Sequence, residues 1–388
     1  MYDPSNILAW IVANVEGMRL SRSKTLAAIV SAALLMRGVG VLALGRAMSG
    51  EVSARHGIKR VWRFLRNDQY ETEALFSALF RFLRPPTGDT IILVDWTDLA
   101  PFQQLVFSLP RNGRSLPFLA VTIRKGRTDE ENKGAMVAAE RRALQMLERI
   151  CPPEIKPILI ADRGFGHRRW LGDIQKRGWH FVQRLSHIHQ VCVEQHMGTL
   201  KELGIRRGRR AKDWGWGTMD EQEFGPIRLV SVFERGSDEA WYLVTSLEFD
   251  SPAQIVRLYK RRMWTEAMFR DLKNRDWGLG LDHVRLSEPQ RHDRHFGILA
   301  LAYVLLCAFG AAAEILGIAQ QLKANTRKDR VMNLARIGNY FLQLYFCSLP
   351  QAFAALRAAY MKLGSTKPYQ ANPTTYPSRA FTAASTAS

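Results

Sequence analysis

The cluster Arg84-Pro85-Pro86-Thr87-Gly88-Asp89 divides the chain into two patterns that call for different architectures. Two prolines and a glycine within six residues stop helices and strands alike. Before the cluster, residues 5 to about 82 carry apolar positions at helical spacing throughout. After it, short β-branched apolar runs alternate with helical stretches. Thr90–Val94, Leu105–Leu109 and Leu116–Ile123 read as strands, the last two joined by the turn Pro110-Arg111-Asn112-Gly113. A helix over Glu131–Ile150, a strand over Pro157–Ala161, a helix over His167–Lys176 and a strand over Trp179–Arg184 follow. Three strands that can pair as a meander, followed by strands that need helical crossovers, give a mixed α/β sheet. Residues 186–250 read as short strands with Gly-rich turns, for example Ile227–Phe233 and Trp241–Leu247. One helix is expected from Pro252 to about Lys273. From Arg294 the chain reads as helical until a Thr/Ser/Pro-rich tail from Ser365, which is expected to be disordered.

Charge narrows the partner. Lys and Arg number 55 against 36 Asp and Glu, a net charge of +19 with a pI near 10.1. A surplus of that size points to a polyanion, nucleic acid first and an anionic membrane second. The segment Ile58–Leu65 sets Ile58, Val61, Trp62 and Leu65 at helical spacing, with Lys59, Arg60, Arg63 and Arg66 on the remaining positions. Residues 1–88 hold 12 basic and 6 acidic side chains. A helical DNA-binding domain and a plain solvated basic face account for this equally well. Residues 321–388 hold nine basic side chains and one acidic one, Asp329. Cys151, Cys192, Cys307 and Cys347 form no C-x-x-C pair, which argues against a zinc ribbon and against a secreted disulfide framework. A reducing, intracellular setting is expected, and Met1-Tyr2-Asp3-Pro4 lack the basic start of a signal peptide. Phe296–Ala313 runs 18 residues without a charge, the lower limit for a membrane span. Gly297, Gly310 and the following Glu314 favour a helix buried in a large domain, and no membrane partner is expected.

Asp95 closes the apolar run Ile91–Val94, and Asp162 closes Ile158–Ala161. Carboxylates that follow buried strands project at the carboxyl edge of a sheet, where sites in open α/β sheets form. If the strands are neighbours, the acids repel and need a cation between them. With no Cys or His pattern nearby, oxygen ligands point to Mg²⁺ or Mn²⁺. A helix N-cap explains either aspartate taken singly. Asp98, three residues past Asp95, competes for the first ligand role. On a continuous helix, Tyr259, Arg262, Glu266 and Lys273 fall within an arc of roughly 60°, and Trp264, Met268 and Leu272 form the opposite, apolar stripe. Without the aspartates, a solvated face with an Arg262–Glu266 pair would account for that arc.

Together these residues resemble the Tyr-x2-Arg-x3-Glu-x6-Lys (Y-R-E-K) signature of bacterial insertion-sequence DDE transposases, specifically insertion sequence family four. Asp95 and Asp162 fit that family's first two acids and Glu266 its third. The resemblance covers about residues 55–300. It implies a ribonuclease-H-like mixed sheet core, over 87–185 and 252–330, with a β-rich insertion over 186–251; outside it the residues themselves read as a helical DNA-binding domain over 1–86 and a helical C-terminal region with a disordered tail over 331–388. It implies two Mg²⁺ ions, or Mn²⁺ in their place, held about 4 Å apart by Asp95, Asp162 and Glu266. The expected reaction is in-line phosphoryl transfer, first by water and then by the freed 3′-hydroxyl, through a hairpin on the transposon end. Arg262 and Lys273 would contact phosphates, and Tyr259 would pack on or hydrogen-bond to the DNA backbone. Trp241 matches the tryptophan on which an extruded base stacks, with a strand residue in the insertion's core as the alternative. The run Arg206-Arg207-Gly208-Arg209-Arg210 reads as a DNA-contacting loop, with Arg207, Arg209 and Arg210 its candidate ligands, or as a solvated basic turn. His187, His189, Cys192 and His196 match no standard zinc spacing. The expected partners are the terminal inverted repeats and target DNA, bound as a dimer in the bacterial cytoplasm at the nucleoid. A nuclease on the same core, an inactive DNA-binding relative and a membrane-associated protein are the alternatives.

Overall fold

The computed structural model describes residues 4–344 except 36–37, 49–52, 71, 87, 112, 221–223, 275–277 and 323–331, together with 351, 354–355 and 358. Five helices come first: α1 (Pro4–Asn14), α2 (Leu20–Leu35), α3 (Val41–Ala47), α4 (Ala54–Arg66) and α5 (Thr72–Leu83). In α4, Val61, Phe64 and Leu65 are buried while Arg55, Lys59, Arg60, Arg63 and Arg66 stay exposed, so the amphipathic pattern read from the sequence is the one that folds. α3 and α4 meet backbone to backbone. A Cβ on Gly45 would collide with Ile58, and one on Gly57 would collide with the carbonyl of Gly45.

The next three strands are a meander: β1 (Ile91–Leu99), β2 (Phe102–Arg111) and β3 (Arg114–Arg124). α6 (Asp129–Ile150) follows, its first turn capped by Thr128, whose hydroxyl accepts the Glu131 N–H. Then come β4 (Ile158–Ala161), α7 (Arg168–Gln175), β5 (His180–Leu185), β6 (Gln190–Val193), β7 (His196–Thr199), β8 (Lys212–Met219), β9 (Phe224–Val232) and β10 (Trp241–Thr245). Among the described residues these ten strands form one mixed sheet in the order β3-β2-β1-β4-β5-β10-β9-β8-β6-β7. β4 is parallel to β1 and β5, and β10 is antiparallel to β5. The β-rich segment after β5 therefore extends the first sheet through that one pairing.

Side chains alternate across this sheet as strand geometry requires. Ile92, Val94, Leu159, Ala161 and Phe181 face α6 and α7. Ile91, Leu93, Ile158, Ile160 and Val182 face the other way, onto α8 (Pro252–Lys260). α9 (Met263–Lys273) covers β1–β3 on that second face.

α10 (Pro289–Ile315) starts five residues before the helical region read from the sequence. Its opening turns are polar yet buried, and each side chain holds a different segment. Asp293 accepts the Thr122 N–H of β3 at 2.8 Å. Arg294 donates to the Leu65 carbonyl and to Asp68 at 2.9 and 2.8 Å, and His295 meets the Val39 carbonyl at 2.7 Å. These bonds fasten the first helices to the sheet. The apolar stretch of α10 is long enough to cross a membrane, and it is wholly buried inside the protein against α2, α5, β3 and α11 (Leu334–Leu344). The tail from Ser365, read as disordered, lies outside the described residues, as does Cys347.

Candidate active site

Asp95 does not end its strand, as the apolar run implied. It is the fifth residue of nine in β1, because the hairpin with β2 holds β1 in register out to Leu99↔Phe102. The other neighbour stops sooner: β4 pairs only as far as Leu93↔Ile160. Two further steps in that register bring Asp95 level with Asp162. Both belong to the set of side chains on the α8 face. Asp95 therefore lies over the carboxyl end of β4, where the sequence reading expected an aspartate to be.

Asp162 caps the single 3₁₀ turn Arg163–Phe165 and accepts the Gly164 N–H at 2.9 Å. Its backbone carbonyl accepts from the Gln183 side chain on β5. A Cβ at position 164 would lie 3.1 Å from its carboxylate, so Gly164 gives the side chain its room.

The third acid sits on a helix that breaks where one continuous helix was expected. α8 ends at Lys260 and α9 begins at Met263. Across the joint the N–H groups of Arg261, Arg262, Trp264 and Thr265 each bond three residues back, to Leu258, Tyr259, Arg261 and Arg262. Such 3₁₀ bonding overwinds the chain relative to 100° per residue, so a single helical projection fails across it. Tyr259 ends on α8, buried at 2% exposure, while Glu266 stands on α9 with its side chain 49% exposed.

Arg262, at the joint, bridges two of the three acids. It donates to Asp95 at 3.0 Å and to Glu266 at 2.6 Å. Burial pushes the Asp95 carboxyl up to about 7; Asp162 and Glu266 add repulsion, and Arg262 and the Trp96 N–H work against the rise. The register that sets Asp162 level with Asp95 and the Arg262 bridge to Glu266 bring the three carboxylates into one neighbourhood. Burial alone would lower the Arg262 pKa, but Asp95, Tyr259, Glu266 and Asp162 outweigh it and hold the guanidinium firmly charged.

Other candidates fall differently. Asp98 is 64% exposed and bonded to Lys125 and Gln103, at 2.8 and 3.2 Å, on the opposite parity of β1 from Asp95. Lys125 is the main reason its carboxyl titrates low. Lys273 donates to the Asp98 carbonyl at 2.9 Å and reaches Asp282 at 3.4 Å, tying the end of α9 to the end of β1. Trp241 is 7% exposed and packs edge-on against Tyr259, ring centroids 5.2 Å apart. Neither ring offers an open face here to a base or a sugar. Arg207 braces its own loop, while Arg209 and Arg210 are exposed. His189 meets Asp220 and His196 meets the Thr199 carbonyl, each at 3.0 Å, so these two histidines are spent on local bonds.

Sequence reasoning missed Glu140. It lies on α6, 4% exposed, within 3.4 Å of Trp96 Nε1 and 3.1 Å of His167 Nε2. His167 Nδ1 accepts the Trp170 N–H, so the Nε2 hydrogen faces Glu140. This bond anchors the loop that follows Asp162. Its partners are 27 and 44 residues apart in sequence, which leaves no local signal.

The donor set of Asp95, Asp162 and Glu266, hard oxygens all, fits a divalent ion such as Mg²⁺. Among the described residues no three acids or histidines form a ready-made cage. Arg262 is the cation that Asp95 and Glu266 share instead.

Residues 112–305 match the family model of the transposase DDE domain. The match spans half of the chain, and the chain belongs to that family. No curated protein matches it. The family is one of transposases, nucleases that act on DNA, and its domains typically use divalent metals. The matched segment includes Asp162 and Glu266 and begins after β1, so Asp95 joins them on geometry.

Proposed function

We propose that the protein cuts and joins the ends of an insertion sequence, as a cut-and-paste transposase of insertion sequence family four on a ribonuclease-H-like core. The observation that carries this reading is the Arg262 bridge between Asp95 and Glu266, with Asp162 acting on the same Asp95. Three acids from two strands and a helix face one guanidinium at the carboxyl edge of a sheet, so their charge is only partly offset and leaves a call for cationic ligands.

Asp95, Asp162 and Glu266 would hold two Mg²⁺ ions, with Mn²⁺ a substitute. Bound there, those ions would supply Lewis acidity to the attacking and the leaving oxygen. Asp95 and Asp162 are set by the sheet; Glu266, half-exposed on its helix, is the ligand free to adjust. Arg262 turns from carboxylate to phosphate as DNA enters, and Lys273, at the far end of α9 by the end of β1, contacts a phosphate further along. The basic face of α4 reads the terminal repeat. A hairpin intermediate and a base stacked on Trp241 belong to the same reading, as do a dimer on paired ends and a cytoplasmic, nucleoid-associated setting. The hairpin role requires Trp241 to leave its packing against Tyr259.

The test is cleavage of duplex DNA bearing the inverted repeats that flank the gene, with Mg²⁺ or Mn²⁺. Asp162→Asn and Glu266→Gln should fold and bind DNA but not cut, and EDTA should stop the wild type. Either variant cutting at the wild-type rate would overturn the assignment.

A further inference from the structure

The sheet edge that carries Asp95 and Asp162 continues past them. β1, β4 and β5 are parallel, so their carboxyl ends share it. β10 begins at this edge, β9 ends there with Val232 opposite Trp241, and β8 begins there with Lys212 opposite Ser231. Three strand steps, ~14 Å, separate the ends of β4 and β9. Between them, Arg163 and Arg184 converge on Glu239.

Beyond β9 the edge becomes a built concavity. The loop before β8 is fixed: Gly208, at φ 77°, donates its N–H to the Phe233 carbonyl at 2.7 Å. Arg207 donates to the Ser237 carbonyl at 3.0 Å and lies 4.9 Å over the Phe233 ring. Between this loop and α8 opens a cleft of about 420 Å³ lined by Arg209, Arg210, Arg235, Arg257 and Lys260. Its one carboxylate, Glu234, is taken by Lys260 at 2.6 Å. The four arginines are exposed, and none has an acidic partner among the described residues. They come from three separate segments, and like charges gathered round one hollow repel unless a polyanion fills it.

We propose that this cleft is a second phosphate-binding site, which grips the phosphodiester backbone of the DNA strand that passes the catalytic carboxylates. Guanidinium groups suit it, because each can hold a phosphate through two parallel hydrogen bonds. The site lies on the same edge and the same α8 face as Asp95 and Asp162, so one strand reaches both. The cleft thus fixes the direction in which DNA leaves the active site. The assignment rests on the transposase reading for the identity of the strand.

The experiment uses the full chain and duplex DNA bearing the flanking inverted repeats. Replacing Arg209, Arg210 and Arg257 together by Ala should lower the slope of log affinity against log salt by about 2–3, near 0.9 for each phosphate no longer neutralised. The triple Lys replacement should keep most of the slope, which separates charge from damage to the fold. Neutral methylphosphonate linkages, scanned along the strand, should weaken wild-type binding at a few consecutive positions on one side of the cleavage point. The Ala variant should be blind to those positions. An unchanged slope, or a variant that still feels the same methylphosphonates, overturns the cleft. Failure of the wild type to cut this DNA in Mg²⁺ would instead sink the transposase reading, and the binding data would still decide the cleft.

Discussion

The guanidinium of Arg262 lies 3.0 Å from the carboxylate of Asp95, and the two side chains are only 13% and 14% exposed. Breaking a buried pair by removing one partner usually costs roughly 3–5 kcal/mol, because a bare charge is left behind. Asp95 has an escape: with its carboxyl already near 7, it takes up a proton when the guanidinium goes. Arg262→Gln should therefore cost well under that range in urea unfolding. Its effect on chemistry should be large, a loss of roughly 100-fold or more in cleavage, because the scissile phosphate loses the guanidinium that turns to it as DNA enters. The Asp95 carboxyl, followed by carbon NMR, should titrate higher than in the wild type, since Arg262 lowers it. An Asp95 titration that does not move, or cleavage at the wild-type rate, contradicts this account.

Trp241 separates packing from function. It is 7% exposed against Tyr259, in the core that joins β10 to α8. Trp241→Ala should cost about 3–5 kcal/mol, the usual range for emptying such a site. Trp241→Phe should recover most of that stability. If Trp241 also carries a flipped base, the Phe variant should nick DNA normally yet form hairpins more slowly. Equal nicking and hairpin rates in the Phe variant would leave Trp241 with its packing role alone.

The local features of the fold are legible in the sequence. Ile158–Ala161 followed by Asp162 needs only a short apolar run and the acid after it. The basic face of α4 needs only periodicity. The acid beside the run Ile91–Val94 is visible too, but the end of its strand is not: β1 runs on to Leu99 because β2 extends the pairing, which no residue near Asp95 announces. The break at Arg261–Arg262 leaves no sequence mark, since nothing there is a glycine or proline. Also out of reach are bonds between distant segments: Glu140 with His167, and β5 with β10 across about 60 residues.

Asp271 is the most heavily bonded of these long-range partners. It accepts from Arg114 at 2.8 Å, Tyr303 at 2.9 Å and Asn333 at 2.8 Å while only 3% exposed. It thus locks α9, which carries Glu266, to β3, α10 and the start of α11. Asp271→Ala would strand three donors, and we expect a loss of roughly 3–5 kcal/mol. The looser α9 should lower cleavage more than DNA affinity, because α9 places Glu266 and the cleft arginines lie elsewhere. A variant that weakens DNA binding and cleavage equally would show that α9 has no separate positioning role.

Asp293 should give stability a pH dependence whose sign follows from its burial. Full burial pushes its carboxyl up to about 7, against hydrogen bonding from Thr122 and the charges of Arg142 and Arg294. A carboxyl raised in the folded state favours folding fully only below its unfolded pKa, near 3.9. Between there and about 7 the unfolded chain ionises first, and that stability is lost. Asp293→Asn keeps an oxygen for the Thr122 N–H and removes the titration. The variant should be close to the wild type in stability near pH 4 and more stable by a few kcal/mol at pH 8. Taking the difference between the two proteins cancels every other titrating group. The measurement is urea unfolding at each pH, and a difference that stays flat from pH 4 to 8 would show that Asp293 is ionised in the folded protein throughout.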